Sequence, residues 1–207
     1  MQRANDIPVV LILSSWGSGS SAVAGYLDKC GGYTCPPHLR TVDEKTPNAF
    51  EPEELRDALV ACIDEYSLQA KGSAENFVRF FAPWITEQQR LATEAGCKVV
   101  VLKHALLVFV LPAILRMANC RVIVSTRALE SIENTRKRRN WHPTLGRSGA
   151  QVIYTTASEY LRENGVSHLT VAFEEFRTDP RIREMTTAFC GLSPSPEQLR
   201  DADDWLR

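Results

Sequence analysis

Four small residues near the start of the chain, Ser18-Gly19-Ser20-Ser21, are of the types that bind anions. Glycine leaves backbone N–H groups accessible, and each serine adds a hydroxyl donor. Gly17 and Trp16 precede them; the indole can stack on a base or a sugar, or pack in the core. A second candidate is Lys103-His104, an ammonium beside an imidazole. That pair can hold developing negative charge and accept a proton during group transfer, or His104 can simply cap a strand end. A third is Arg127 with Thr135 on the following segment, where a guanidinium fork and a hydroxyl suit a phosphate clamp.

The apolar pattern supplies the elements that must hold these groups. Residues 8–13 are an unbroken apolar run of strand length, and residues 21–27 read as a helix with small residues inward. The serines therefore sit where a strand turns into a helix, whose first turn offers unpaired N–H groups and the positive end of the dipole. Residues 98–102 form a second buried strand ending at Lys103-His104, residues 121–126 a third ending at Arg127, and residues 168–173 a fourth. The sequence predicts helices over 53–70, 74–81, 86–95, 129–140, 149–164 and 181–190, and one running up to Met117. Pro83 separates the second from the third, and a further helix is expected over 196–207. Residues 33–52 lack periodicity and read as a long irregular loop, either a functional loop or lid or a disordered surface insertion.

Helices between strands imply a mainly parallel sheet with right-handed crossovers, and such sheets bind ligands beyond the carboxyl ends of their strands. Three of those ends carry the three groups above. The expected architecture is α/β, a central sheet flanked by helices in one domain over 1–207, with a core at 8–192 and a helical tail at 193–207.

Composition narrows the chemistry. The net charge of −1 over 207 residues gives no general attraction to nucleic acid. The apolar runs are too short, or too interrupted by Lys103, His104 and Pro112, to span a membrane. Six cysteines without a C-x-x-C pair argue against zinc and for buried reduced thiols, as in a cytoplasmic protein. The loop lacks the Gly-Lys-Ser/Thr ending of an ATP-hydrolysing P-loop, and no strand ends on an Asp suited to magnesium, which disfavours a kinase. No metal is expected.

The chain resembles the phosphoadenylyl-sulfate (PAPS)-dependent sulfotransferases, a P-loop-like fold. That family has a loop of the kind R/K-S-G-T-S/T after its first strand, and Ser18-Gly19-Ser20-Ser21 is similar to it. Its second block, a strand then R-x-P with a Ser or Thr eight residues after the Arg, is similar to Val122–Arg127 with Thr135. Its third, Y-E-D/E-L then D-P, resembles Phe173-Glu174-Glu175-Phe176 and Asp179-Pro180, and residues 48–51 loosely resemble its N-x-x-G-x-x-E region. The resemblance covers residues 8–192 and implies PAPS as co-substrate, with a small-molecule or glycan acceptor. It implies that residues 18–21 hold the 5′-phosphate end, with Trp16 and Gly17 beside them in the cofactor site, and that Arg127 and Thr135 hold the 3′-phosphate. Lys103 would clamp the sulfuryl group and His104 would serve as base; Glu44 or Glu51 are the alternative bases. The departures are Gly17, where the family has a cation, Leu129, where it has proline, and the missing Arg-Lys-Gly segment. Arg136, Arg138, Arg139 or Arg147 are candidates to replace that segment. The Gly17 departure leaves a second reading, a nucleotide-binding module without transfer activity; a third, disfavoured by the missing loop lysine, is an atypical P-loop kinase.

Overall fold

The computed structural model describes residues 7–41, 43 and 46–206. Its centre is strand β1 (Val9–Ser14), every residue of which is buried. Val9, Leu11 and Leu13 face one apolar layer while Val10 and Ile12 face the other, as expected of a strand covered on both sides. It pairs in parallel with β4 (Val100–Lys103) and with β5 (Cys120–Thr126), and β5 pairs in parallel with β6 (His168–Ala172). The strand order is β4-β1-β5-β6, so the chain runs to one side of β1 and then crosses to the other. The crevice at such a reversal is where open α/β sheets place their ligands.

Helix α1 (Ser20–Lys29) covers one face through Val23, Ala24 and Leu27. The helices α7 (Phe173–Thr178), α8 (Pro180–Cys190) and α9 (Pro196–Leu206) join it through Phe176, Cys190 and Ala202. The opposite face is covered by α3 (Ala74–Glu94), α4 (Leu107–Met117) and α6 (Arg147–Glu163), which contribute Phe77, Phe81, Leu111, Ile153 and Leu161. Helix α5 (Leu129–Arg138) follows β5. The outcome is a three-layer α/β arrangement with an all-parallel four-stranded sheet, as the pattern predicts. All six cysteines are free thiols. Among the described residues no helix is long and apolar enough to cross a membrane.

Three expected segments take other forms. The stretch read as one irregular loop contains an antiparallel pair, β2 (His38–Arg40) and β3 (Asn48–Pro52). Only His38 and Arg40 register on β3, with a shift between them, so no alternation long enough to see is present. Helix α2 (Glu53–Cys62) ends well before residue 70. Ile63 is extended, and the Asp64 carboxylate accepts the N–H groups of Tyr66 and Ser67, closing a turn that competes with the helix. Helix α3, by contrast, runs unbroken through Pro83. Its buried stripe of Phe77, Phe81, Trp84, Ile85 and Ala92 continues past the proline. Pro83 and Arg79 both lie on the exposed face, so the carbonyl that loses its partner can meet water.

Candidate active site

The turn from β1 to α1 is shaped by two glycines. Gly17 has φ +73° and Gly19 φ +83°, both in the left-handed region. A Cβ on Gly19 would lie 2.2 Å from the Phe173 ring, so the ring and the loop approach each other only because that atom is missing. Gly19 caps α1, and no side chain caps that terminus, which leaves its first-turn N–H groups for an external acceptor. Ser18 is fully buried beneath the turn, its N–H donated to the Ser15 carbonyl at 3.3 Å.

Tyr154 of α6 pins the base of the loop. Its hydroxyl accepts from Ser15 Oγ at 3.2 Å and donates to the Ser125 carbonyl at 3.2 Å, joining the carboxyl ends of β1 and β5. Burial pushes this phenol up, so it remains a donor at neutral pH. Nothing in the spacing of the sequence marks Tyr154, because its partners are set by how α6 crosses the sheet.

At the end of β5, Arg127 reaches back over the loop. Its Nη1 donates to the Gly17 carbonyl at 3.1 Å and to Thr135 Oγ1 at 3.4 Å. Its Nε donates to Glu174 at 3.1 Å, and its guanidinium lies 4.8 Å from the Phe173 ring centroid. Arg127 and Thr135 are therefore brought together, with Phe173 wedged between Arg127 and Gly19.

At the end of β4 the side chains of Lys103 and His104 are buried, and Glu51 of β3 is buried with them. Lys103 Nζ donates to Glu51 Oε1 at 2.6 Å, to the Ala49 carbonyl at 3.1 Å and to Ser21 Oγ at 3.3 Å. All three ammonium protons are thereby engaged, and the lysine ties β3 to the serine turn. His104 Nδ1 accepts the Leu106 N–H at 3.1 Å, which assigns the ring proton to Nε2, 3.8 Å from Glu51 Oε2.

The electrostatics follow from burial and pairing. Burial by itself raises the Glu51 carboxyl, but the Lys103 ammonium and its hydrogen bond outweigh it and hold Glu51 below the usual carboxylate range. Burial lowers His104 to about 4, against the opposing pull of Glu51 and with the help of Lys103. At neutral pH the cluster is an ionised carboxylate, an ammonium and a neutral imidazole. Among the described residues no group of three or more His, Cys, Asp and Glu side chains is placed to hold a metal ion.

These groups border one cleft of about 280 Å³, and Trp16, Gly17, Gly19, Ser20, Ser21, Lys103, His104, Arg127 and Thr135 line it while Ser18 does not. Glu51 and Arg56 line it too, and so do Arg138, Arg139 and Trp141 on the side of α5. Of the four arginines considered as replacements for the missing basic segment, Arg136 is bound to Glu133 and to the Trp141 carbonyl, and Arg147 pairs with Glu130 away from the cleft. Arg138 and Arg139 pair with Asp43, and Arg139 sits 4.7 Å above the Trp141 ring. Glu44, one alternative base, lies outside the described residues.

No protein-family model matches the sequence, and no curated protein matches it. Solved structures do. The sulfotransferase domain of the Synechococcus PCC 7002 olefin synthase superposes with a TM-score of 0.61 at 18% identity, covering 98% of this chain and 80% of that one. Sulfotransferase STF1 of Mycobacterium tuberculosis H37Rv superposes with a TM-score of 0.62 at 14% identity, covering 97% of this chain and 71% of that one. The fold is that of the sulfotransferases. In this chain the serine turn, Lys103 and the Arg127–Thr135 pair gather at the carboxyl ends of β1, β4 and β5, with Glu51 brought to them by β3.

Proposed function

We propose that this chain transfers a sulfuryl group from PAPS to a hydroxyl or amine of a small molecule or glycan, releasing 3′,5′-ADP. What carries the reading is the convergence, on one cleft of a sulfotransferase fold, of an uncapped helix N-terminus, an Arg–Thr pair and a buried carboxylate. PAPS would supply the sulfuryl group. The first-turn N–H groups at Ser20 and Ser21 would take its 5′-phosphate end, and Arg127 with Thr135 its 3′-phosphate.

In the transfer, the bond from the acceptor oxygen or nitrogen to sulfur forms, the bond from sulfur to the 5′-phosphate oxygen breaks, and the acceptor proton goes to a base. Glu51 suits that role better than His104. His104 Nδ1 is occupied by the Leu106 N–H and Nε2 carries the proton, so the ring has no free lone pair for the acceptor. Glu51 is ionised, and its Oε2 lies outside the Lys103 hydrogen bond. Lys103 bridges Glu51 and Ser21, placing one positive charge between base and anion turn. His104 stacks edge-on against Trp16 and bounds the carboxylate on its far side.

Calorimetry tests the nucleotide assignment. 3′,5′-ADP is expected to bind about 10- to 100-fold more tightly than 5′-AMP, the range for one or two charged hydrogen bonds, and Arg127→Ala to erase the difference. Equal affinities in the unaltered protein would overturn the 3′-phosphate assignment.

A second reading, nucleotide binding without transfer, draws on Gly17. A Cβ there would meet Thr135 at 3.3 Å on a left-handed backbone, so the position is built for glycine and not for the family's cation. Radiolabelled PAPS with a panel of phenols, sugars and amines separates the two: binding with no label transferred to any acceptor supports the second.

A further inference from the structure

We infer that Trp205, on the carboxyl-terminal helix, is a positioning residue for Glu51, acting through the ring of Phe50. The inference rests on the reading of Glu51 as base. Along β3, Ala49 and Glu51 line the cleft, whereas Phe50 packs into the opposite layer with Val10, Ile12 and Val23. The cleft side is tied down by Lys103, which bonds both the Ala49 carbonyl and the Glu51 carboxylate, and by Ser21 Oγ on the same carbonyl at 3.1 Å.

Between those anchors Phe50 has φ +54°, a left-handed backbone that a bulky side chain rarely adopts. Such a residue persists only when its surroundings over-determine it. Here the Phe50 N–H donates to Asn48 Oδ1 at 2.8 Å, and its ring is held between two others. His38 lies 5.4 Å away between centroids, and Trp205 meets it edge-on at 5.8 Å and 88°.

Helix α1 makes room for this contact. A Cβ on Gly25 would lie 2.3 Å from the Trp205 ring and 2.7 Å from the Phe50 ring, so any larger residue would push the two apart. Helix α9 is in turn fixed beside α1 by buried Ala202 and by Asp203, which accepts from the Tyr26 hydroxyl at 3.3 Å and pairs with Arg183 at 2.9 Å. Trp205 itself is 41% exposed. It covers Phe50 from the surface while the opposite edge of the same strand faces the cleft. Without it, Phe50 is free to relax toward extended backbone, which rotates the Glu51 carboxylate relative to Lys103.

The charged and titratable groups around Glu51 are Lys103, His104 and Arg56, and none is touched by changing Trp205. Carboxyl-carbon NMR titration of glutamate-labelled protein, with Glu51→Gln identifying the signal, therefore reads the Glu51–Lys103 geometry directly. Trp205→Ala is expected to raise the Glu51 midpoint toward the ordinary carboxylate value, and Trp205→Phe to restore it. Trp205→Leu serves where the alanine variant does not fold. An unchanged Glu51 midpoint in a folded Ala or Leu variant would overturn the inference. Turnover of labelled PAPS by Glu51→Gln separates the two claims. Undiminished turnover would remove Glu51 as the base even if its midpoint depends on Trp205.

Discussion

A carboxylate buried against an ammonium has its charge decided by its partner. Glu51 is ionised because Lys103 is 2.6 Å away; without that charge, burial would favour the protonated acid. Lys103→Met should therefore cost about 3–5 kcal/mol, the penalty for leaving one buried charge unpaired. Adding Glu51→Gln to it should recover part of the loss, since the carboxylate to be desolvated is then gone. Urea unfolding of the single and double variants checks this; a Lys103→Met protein as stable as the parent would refute the buried pair.

At the scale of elements, what the sequence revealed depended on how local each signal was. The serine turn, Lys103 and Arg127 stand directly after apolar runs, so their place at strand ends could be read from adjacent residues. Arg127 and Thr135 are about two helical turns apart, and their side chains meet. The link from Glu51 to Lys103 crosses from β3 to β4, and the sequence marked Glu51 only as one of two alternative bases. Helix α2 stopped short because the Asp64 side chain supplies a competing turn, while α3 continued because a buried stripe outweighs one proline. The second point has a measurable consequence. If α3 is continuous, Pro83→Ala restores a backbone hydrogen bond to Arg79 and should stabilise the protein by up to about 3 kcal/mol. Were Pro83 instead a break between two helices, the substitution would be neutral or destabilising in thermal unfolding.

For the molecule as a whole, the buried imidazole sets a limit on acid stability. His104 titrates near 4 in the fold against 6.5 when unperturbed. As pH falls from 6.5 toward 4 the unfolded chain takes up this proton and the folded one does not, so stability drops across that window. Glu51 acts at the acidic end: its value is depressed in the fold, so its contribution is present above the ordinary carboxylate range and is lost as pH falls through the folded value. His104→Asn retains an acceptor for the Leu106 N–H and cannot ionise. It should flatten the slope of melting temperature against pH between 6.5 and 4, and an unaltered slope would show that other groups set it.

The placing of β1 at the middle of the sheet also bears on how the protein is made. Its neighbours are β4 and β5, paired to it through Val9 with Val100 and Val9 with Cys120. On the ribosome this apolar strand emerges before its partners and waits, with both hydrogen-bonding edges open, until β4 and β5 have followed. Edges of that kind recruit other strands, and long-range parallel pairing is slow to form. Nascent chains halted before residue 98 should therefore associate with chaperones or aggregate, and those extended beyond residue 126 should begin to resist protease. The serine turn at residues 18–21 lies at the end of this strand, so it takes its final geometry only after both partners arrive.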